Sequence, residues 1–592
     1  MKKEPPLATD YSPAGLIQPE FIPATKAEME KLAWPELDIL LIQGDAYIDH
    51  PAQGPALLGR WLMAHGFRVG LVSQPRWRDP AEAASDLGAM GRPRLFAALS
   101  AGSMDSMLAH YTAFRKKRSE DALAPGGRSG ARPNRATLVY TGLVRAAFPG
   151  LPVFIGGLEA SLRRLSHYDF WQDKLRRSIL LESKADLLIY GPGERPLLEL
   201  ARRLSANPGE DRLENIPGTA VARQAADRPD DDWAVLPDHE AIEAAPALLM
   251  EATLTTERLV HQGGRAIFQA SGGRAVLVNP PAEPLTTPEL DFLYQLPFTR
   301  RAHPDYRQPV PALEVLAASI TTHRGCGGAC SFCSLALHQG RRISSRSRAS
   351  IVAEAERLAA EKPLALSDVG APTANLWGAE CLARADQCTR RSCLWPKICP
   401  QLKADQSGWL ALLRAVARVK GVKQVRVASG VRYDLALTDE KSLGEFLANF
   451  VGGQLKVAPE HLDPGLLRLM RKPGPEVFEK FLKIFERGRG KSCFLIPYLI
   501  SAFPGSGLAQ MRRLRDWFQS RSWRPRQVQA FIPTPGTVAT AMYYGRVNEE
   551  GRPLEVPAED GQRLAQHAFL APAVKKGTAS DQAVKKTVRR NR

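Results

Sequence analysis

Hydrophobic and polar positions along the chain fall into two long blocks of the same kind. In residues 36–205, short apolar runs at 38–43, 68–73, 95–99, 137–140, 153–155 and 186–190 are separated by segments with helical spacing. Short apolar runs bounded by turn residues and followed by amphipathic segments predict strands of a parallel α/β unit. The segment after the first run puts Leu57, Leu58, Trp61 and Leu62 on one face, and Gly66 is its expected stop. An open, doubly wound, Rossmann-like sheet is the expected result.

The second block, 312–570, repeats the alternation with predicted strands at 315–321, 364–367, 424–428, 454–458, 493–498 and 527–532. Its helices are marked by Phe478, Phe481, Leu482 and Phe485, and by Leu508, Met511, Leu514 and Phe518. Six successive β–α units with right-handed crossovers curl into a partial (β/α)6 barrel. The remaining divisions are an N-terminal extension (1–35), an irregular connecting region (206–311) and a disordered basic tail (571–592). Eight prolines between Pro280 and Pro311 stiffen the connection.

Charge changes this picture little. The chain of 592 residues carries a formal net charge of +18, which favours acidic partners such as nucleic acid. Part of the excess is local, because the last 18 residues hold seven Lys/Arg and one Asp. No apolar run reaches the ~18 residues of a membrane span. MKKEPPLATDYSPAG lacks the apolar core of a secretory signal, so a cytoplasmic protein is expected.

Cysteine placement carries the chemistry. None of the eight cysteines precedes Cys326, seven lie between Cys326 and Cys399, and the last is Cys493. Clustering in a reducing compartment favours metal ligation over disulfides. Cys326-Gly-Gly-Ala-Cys330-Ser-Phe-Cys333 follows the first strand of the second block, where barrel enzymes place their active sites. Thiolates suit iron–sulfur or zinc, and an ordinary [4Fe–4S] cluster takes four. Three would leave one iron open. A three-cysteine zinc site and packed thiols are the alternatives.

The C-x3-C-x2-C spacing, with Phe332 before its last cysteine, resembles the radical S-adenosylmethionine (SAM) superfamily. Longer runs resemble its YgiQ family: Gly44-Asp-Ala-Tyr-Ile-Asp-His-Pro51, Gly156-Gly-Leu-Glu-Ala-Ser-Leu-Arg-Arg164 with His167-Tyr-Asp-Phe-Trp171, Tyr190-Gly-Pro-Gly-Glu-Arg-Pro196, and Pro533-Thr-Pro535 with Tyr543-Tyr544. The resemblance implies a [4Fe–4S] cluster on Cys326, Cys330 and Cys333, SAM on the open iron, and reductive cleavage of SAM to a 5′-deoxyadenosyl radical. It also implies SAM contacts at Phe332, Gly370, Ser429 and Arg432, and a flavodoxin- or ferredoxin-type reductant. It names no substrate, though RNA or protein is compatible with the charge. The first block is similar to the cobalamin-binding domain of one radical SAM class. The Asp-x-His-x-x-Gly signature is missing at Asp49-His50-Pro51, so cobalamin is not the expected occupant.

Other residues are read with alternatives. Cys381, Cys388, Cys393 and Cys399 suit zinc, a second cluster or free thiols, and Cys493 suits the core. Glu460 and His461 are either substrate groups or a satisfied polar pair. The run from Arg163 to Arg177 either lines a cleft or packs domains together. A competing function is a metal-stabilised nucleic-acid-binding protein, built on Arg512 to Arg526 with Trp517, Phe518 and Trp523.

Overall fold

A computed structural model describes residues 18–207, 213–227, 232–488 and 493–570. The basic tail, and residues 1–17 of the N-terminal extension, lie outside the described residues. The first block opens with strands β1 (Ile39–Gln43), β2 (Val69–Ser73), β3 (Phe96–Ser100), β4 (Val153–Gly156) and β5 (Leu187–Ile189), all parallel. Every residue of β1 is buried, the burial expected of a parallel strand covered on both faces. The helix Gly54–Ala64 buries Leu57, Trp61 and Leu62 and stops at His65-Gly66, where Gly66 has φ +90°.

Two expectations give way here. The run at 137–140 is no strand; it lies in the helix Ala136–Ala147, whose Ala136, Tyr140 and Val144 recur at helical spacing on the buried face. The stretch 206–311 is far from irregular. It adds β6 (Thr219–Gln224), β7 (Ala234–Val235), β8 (Ile267–Ser271) and β9 (Arg274–Val278), plus helices such as Leu248–Gln262. The hairpin signal was Gly272-Gly273 between two apolar runs, with Gly272 at φ +61°. The sheet therefore has nine strands in the order β2-β1-β3-β4-β5-β6-β9-β8-β7.

Among the described residues of the second block, six strand regions follow each other, besides two short antiparallel pairs. β10 (Ser319–Thr321) pairs in parallel with β12 (Asp368–Gly370), and β11 (Leu364–Leu366) with β13 (Val422–Val425). β14 (Gln454–Glu460), β15 (Phe494–Ser501) and β16 (Gln527–Ala530) form a parallel sheet. The first of these regions is shorter than the run at 315–321, because Leu313–Leu316 turn as a helix before it. Between them Phe478, Phe481, Leu482 and Phe485 are buried, as their spacing requires.

The blocks are tightly joined. Tyr168 stacks on Tyr544 with centroids 5.0 Å apart, and the guanidinium of the fully buried Arg563 lies 4.8 Å over the Phe170 ring. Arg563 also donates to the carbonyls of Ala113 (3.0 Å) and Phe531 (2.6 Å). Tyr168 and Phe170, within Arg163 to Arg177, thus pack against Tyr544 and Arg563 of the second block. The Gly44–Pro51 run is likewise committed: Asp45 pairs with Arg132 and Asp49 with Arg60, all side chains fully buried.

Candidate functional site

The Cys326–Cys333 loop leaves β10 through the short strand His323–Arg324. Gly325 has φ +88°, and a Cβ there would lie 2.0 Å from the Arg342 carbonyl oxygen, so only glycine fits the turn. The Cys326 amide donates to Gly340 (3.1 Å), and the Cys333 amide to Cys330 (3.0 Å). At Gly328 a Cβ would sit 3.5 Å from Cys326 Sγ, 3.8 Å from Cys330 Sγ and 3.4 Å from an Arg432 guanidinium nitrogen. Two sulfurs and a cation therefore converge on a hollow that a side chain would fill. Burial first, then the neighbouring Cys330, pushes the Cys333 thiol up to about 12. Among the described residues no three His, Cys, Asp or Glu side chains form a ready-made ion cage; ligands commonly close as metal binds.

The four expected SAM contacts separate into two groups. Gly370 ends β12, and a Cβ on it would lie 2.3 Å from Ser429 Oγ. Ser429 and Ala428 donate their amides to Asp368 Oδ1 (3.0 and 2.8 Å), and the Ser429 hydroxyl donates to the same carboxylate. Gly370 and Ser429 are thus adjacent. Arg432 faces the thiols instead: it is pinned by Asp434 (2.8 and 2.6 Å) and donates to Cys330 Sγ at 3.8 Å. Phe332 packs edge-on against Phe503 at 6.4 Å. Asp368, a carboxylate right after a predicted strand, organises the Ser429 turn.

Glu460 and His461 have separate partners. Glu460 adopts φ +67° and lies 3.9 Å from Lys472 Nζ; burial raises its carboxyl, with Lys472 and Arg432 opposing. His461 Nδ1 accepts the Asp463 amide at 2.9 Å, at the start of the helix Pro464–Leu469.

A cavity of ≈660 Å³ opens between the C-terminal ends of the first sheet and the Gly370–Ser429 pair. Its lining includes Ser103, Gly157, Glu194, His323, His338 and Gly370. The strand order β2-β1-β3-β4-β5 makes the gap between β1 and β3 a topological switch point, the usual crevice for ligands in such sheets. Its volume is that of a small-molecule site. Among the described residues Glu194 Oε2 and His323 Nε2 are buried without a hydrogen-bond partner.

A sequence profile described as "Radical SAM N-terminal" matches residues 21–319. A UPF0313 protein of Geobacter sulfurreducens is 48% identical, over 93% of this chain and 92% of its own length. A UPF0313 protein of Thermotoga maritima is 44% identical over 89% and 94%. The chain belongs to the UPF0313 family. This is the YgiQ family of radical SAM proteins that the sequence runs resemble. A solved radical SAM methyltransferase from Kitasatospora setae, with a tryptophan substrate and a SAM analogue bound, aligns over 92% of both chains. Its TM-score is 0.53 and its identity 15%, a likeness of fold. Among the described residues of this UPF0313 chain, no helix is long and apolar enough to cross a membrane.

The histidines of this UPF0313 chain imply a pH dependence. Burial holds His323, His338 and His461 down at about 4, against 6.5 when exposed. Between those values the unfolded chain binds protons that the folded chain does not, so stability falls as pH drops through that window. Each imidazole contributes about 2 kcal/mol of loss by pH ~5. Melting temperatures taken at pH ~7.5 and ~5 should therefore differ by many degrees; equal values would contradict neutral burial.

Proposed function

We propose that this chain is a radical SAM enzyme whose second block is the partial (β/α)6 barrel of that superfamily, with Cys326, Cys330 and Cys333 as the ligands of a [4Fe–4S] cluster. The hollow at Gly328 carries the reading, because two cysteine sulfurs open onto one space beside a fixed cation. A [4Fe–4S] cluster held there would supply one-electron reduction of SAM, with the electron from a flavodoxin- or ferredoxin-type donor, so that the C5′–S bond parts into methionine and a 5′-deoxyadenosyl radical.

The chain's own residues supply position and exclusion of water. Gly325 sets the tight turn, and Asp434 fixes the Arg432 guanidinium against Cys330. Gly370, packed against Ser429 where a side chain would not fit, would meet the amino acid end of SAM through its backbone. The adenosyl group would extend into the cavity, where the orphaned Glu194 and His323 atoms await polar partners. The missing Asp-x-His-x-x-Gly signature argues only against His-ligated cobalamin, so the switch-point crevice keeps a corrinoid among its candidate occupants.

Nucleic-acid binding through Arg512 to Arg526 has less support. Met511, Leu514 and Phe518 are buried, Trp517 and Trp523 pack on Phe518 (5.0 and 5.9 Å), and Arg521 covers the Trp517 ring. Those rings are engaged with one another. The test is anaerobic reconstitution of the full chain with iron and sulfide, followed by dithionite and SAM. A brown species absorbing at about 400 nm and release of 5′-deoxyadenosine are expected. Zinc uptake alone, with SAM left intact, would overturn the reading. Hydroxocobalamin added to the same preparation tests the crevice.

A further inference from the structure

The segment from Cys381 to Cys399 lies directly against the first cysteine loop. The Cys393 amide donates to the Gly327 carbonyl (2.9 Å), and the Ser392 hydroxyl donates to the Gly328 carbonyl (2.7 Å). Both acceptors belong to the two glycines between Cys326 and Cys330. The segment therefore covers the backbone of the candidate cluster loop.

Arg390 ties the segment's own turns through the Trp395 and Lys397 carbonyls (3.1 and 2.6 Å), and Arg391 pairs with Glu549, but regular structure and apolar support are sparse. Its regular structure is a two-residue hairpin, Glu380–Cys381 against Leu402–Lys403, and a single turn at Ala385–Gln387. Its apolar support is a small cluster in which buried Leu394 meets Leu376, Ala379 and Leu435. A stretch with so little apolar burial ordinarily needs a cross-link to keep one shape. Four thiols are available for it.

Backbone pairing links three of those cysteines, since Leu402, opposite Cys381, donates its amide to the Cys399 carbonyl at 2.9 Å. The hairpin sets Cys381 opposite Leu402, and the Cys399 amide donates to the Cys393 carbonyl at 2.8 Å. The Arg341 guanidinium donates to Cys393 Sγ at 3.7 Å, the kind of partner that favours a thiolate. Arg384, Arg390, Arg391, Lys397 and Lys403 outnumber Glu380 and Asp386 across the segment, offsetting the charge that four thiolates would bring.

We propose that Cys381, Cys388, Cys393 and Cys399 together ligate a thiophilic metal centre, either a zinc ion or an auxiliary iron–sulfur cluster, that fastens this segment over the Cys326–Cys333 loop. Four cysteine ligands complete the shell of either centre and leave no open position, so the role is structural. Cys381 is exposed, with one weak contact to the Ala383 carbonyl at 3.7 Å, and its side chain is free to turn inward as the metal binds. The site is independent of the proposed SAM chemistry and stands or falls separately from it.

The experiment uses the full chain with Cys326, Cys330 and Cys333 all replaced by Ala, so that metal at the first site cannot be counted. One preparation is made with zinc and another is reconstituted anaerobically with iron and sulfide; both are desalted in the presence of a weak chelator. Retention of about one zinc, or of about four irons with matching sulfide, supports the proposal and tells the two centres apart. Adding Cys393→Ser and Cys399→Ser should then release the metal. To guard against misfolding of these variants, thiol labelling of the unsubstituted chain provides a second readout. Cys381, Cys388, Cys393 and Cys399 should be protected until a strong chelator is added, and the 380–403 segment should then become protease-sensitive. Metal-free protein with a native far-UV spectrum, metal retained after the serine substitutions, or a disulfide within the set would each overturn the proposal.

Discussion

A Cys330→Ala chain, reconstituted anaerobically, will hold no cluster at the Cys326–Cys333 loop and release no 5′-deoxyadenosine from SAM. Cys330 faces Cys326 across the Gly328 hollow, and the Arg432 guanidinium, held by Asp434, donates to its sulfur. Removing it leaves two sulfurs where an iron–sulfur cube needs at least three, with a buried cation facing the gap. Arg432→Leu separates ligation from tuning. That chain should still take up iron, because its three thiols remain, but its cluster should be harder to reduce. The reduced state carries one more negative charge, and the deleted guanidinium stood beside it. A hydrogen bond to a charged group is worth about 1.5–3 kcal/mol, so the potential should fall by about 60–130 mV in a titration followed by electron paramagnetic resonance. Full iron uptake by Cys330→Ala would remove this residue from the ligand set, and an unchanged potential in Arg432→Leu would remove Arg432 from the cluster's surroundings.

The second large effect concerns the frame behind the loop. Arg471 is fully buried and joins three distant parts of the chain: Glu257 (2.6 and 3.0 Å), Glu549 (2.8 Å) and the carbonyl of Ala329 inside the cysteine motif (3.3 Å). Arg471→Leu leaves the Glu257 carboxylate unpaired, leaves Glu549 with Arg391 alone, and frees the middle of the loop. Breaking a buried ion pair from one side costs about 3–5 kcal/mol, a large share of the about 5–15 kcal/mol that keeps a protein folded. Urea unfolding should show a clearly lower midpoint for this variant. Adding Glu257→Gln and Glu549→Gln should restore much of the loss, since the stranded charges cause most of it. A midpoint equal to the parent's would show that the network is not stabilising.

The parallel halves of the fold were legible because buried strands leave uninterrupted apolar runs, as at Ile39–Gln43, and because Gly66 ends its helix as glycine usually does. The same signal misled at 137–140, where four apolar-leaning residues fit a strand or one helical turn equally and the partners at Val144 and beyond decide. The strands after residue 218 escaped notice because acidic and proline-rich neighbours hid a Gly272-Gly273 hairpin. At the site, cysteine spacing marked the Cys326–Cys333 loop, whose thiols are the proposed ligands, since residues close in sequence share one loop. Arg432 was expected at SAM and points to Cys330; its direction depends on Asp434, two residues on, and spacing along the chain carries no record of that pairing. Asp368 shows the same limit, because a strand-end carboxylate reads alike whether it binds a ligand or ties down a neighbouring turn.

The grip of Arg563 on Phe170, Ala113 and Phe531 bears on how the protein is made. Synthesis proceeds from the amino end, so the opening α/β layer emerges while the helix that will cover Phe170 is still untranslated. Until that helix emerges, an aromatic face carrying Tyr168 and Phe170 stays wet, so it is sealed only after the opening layer has been made.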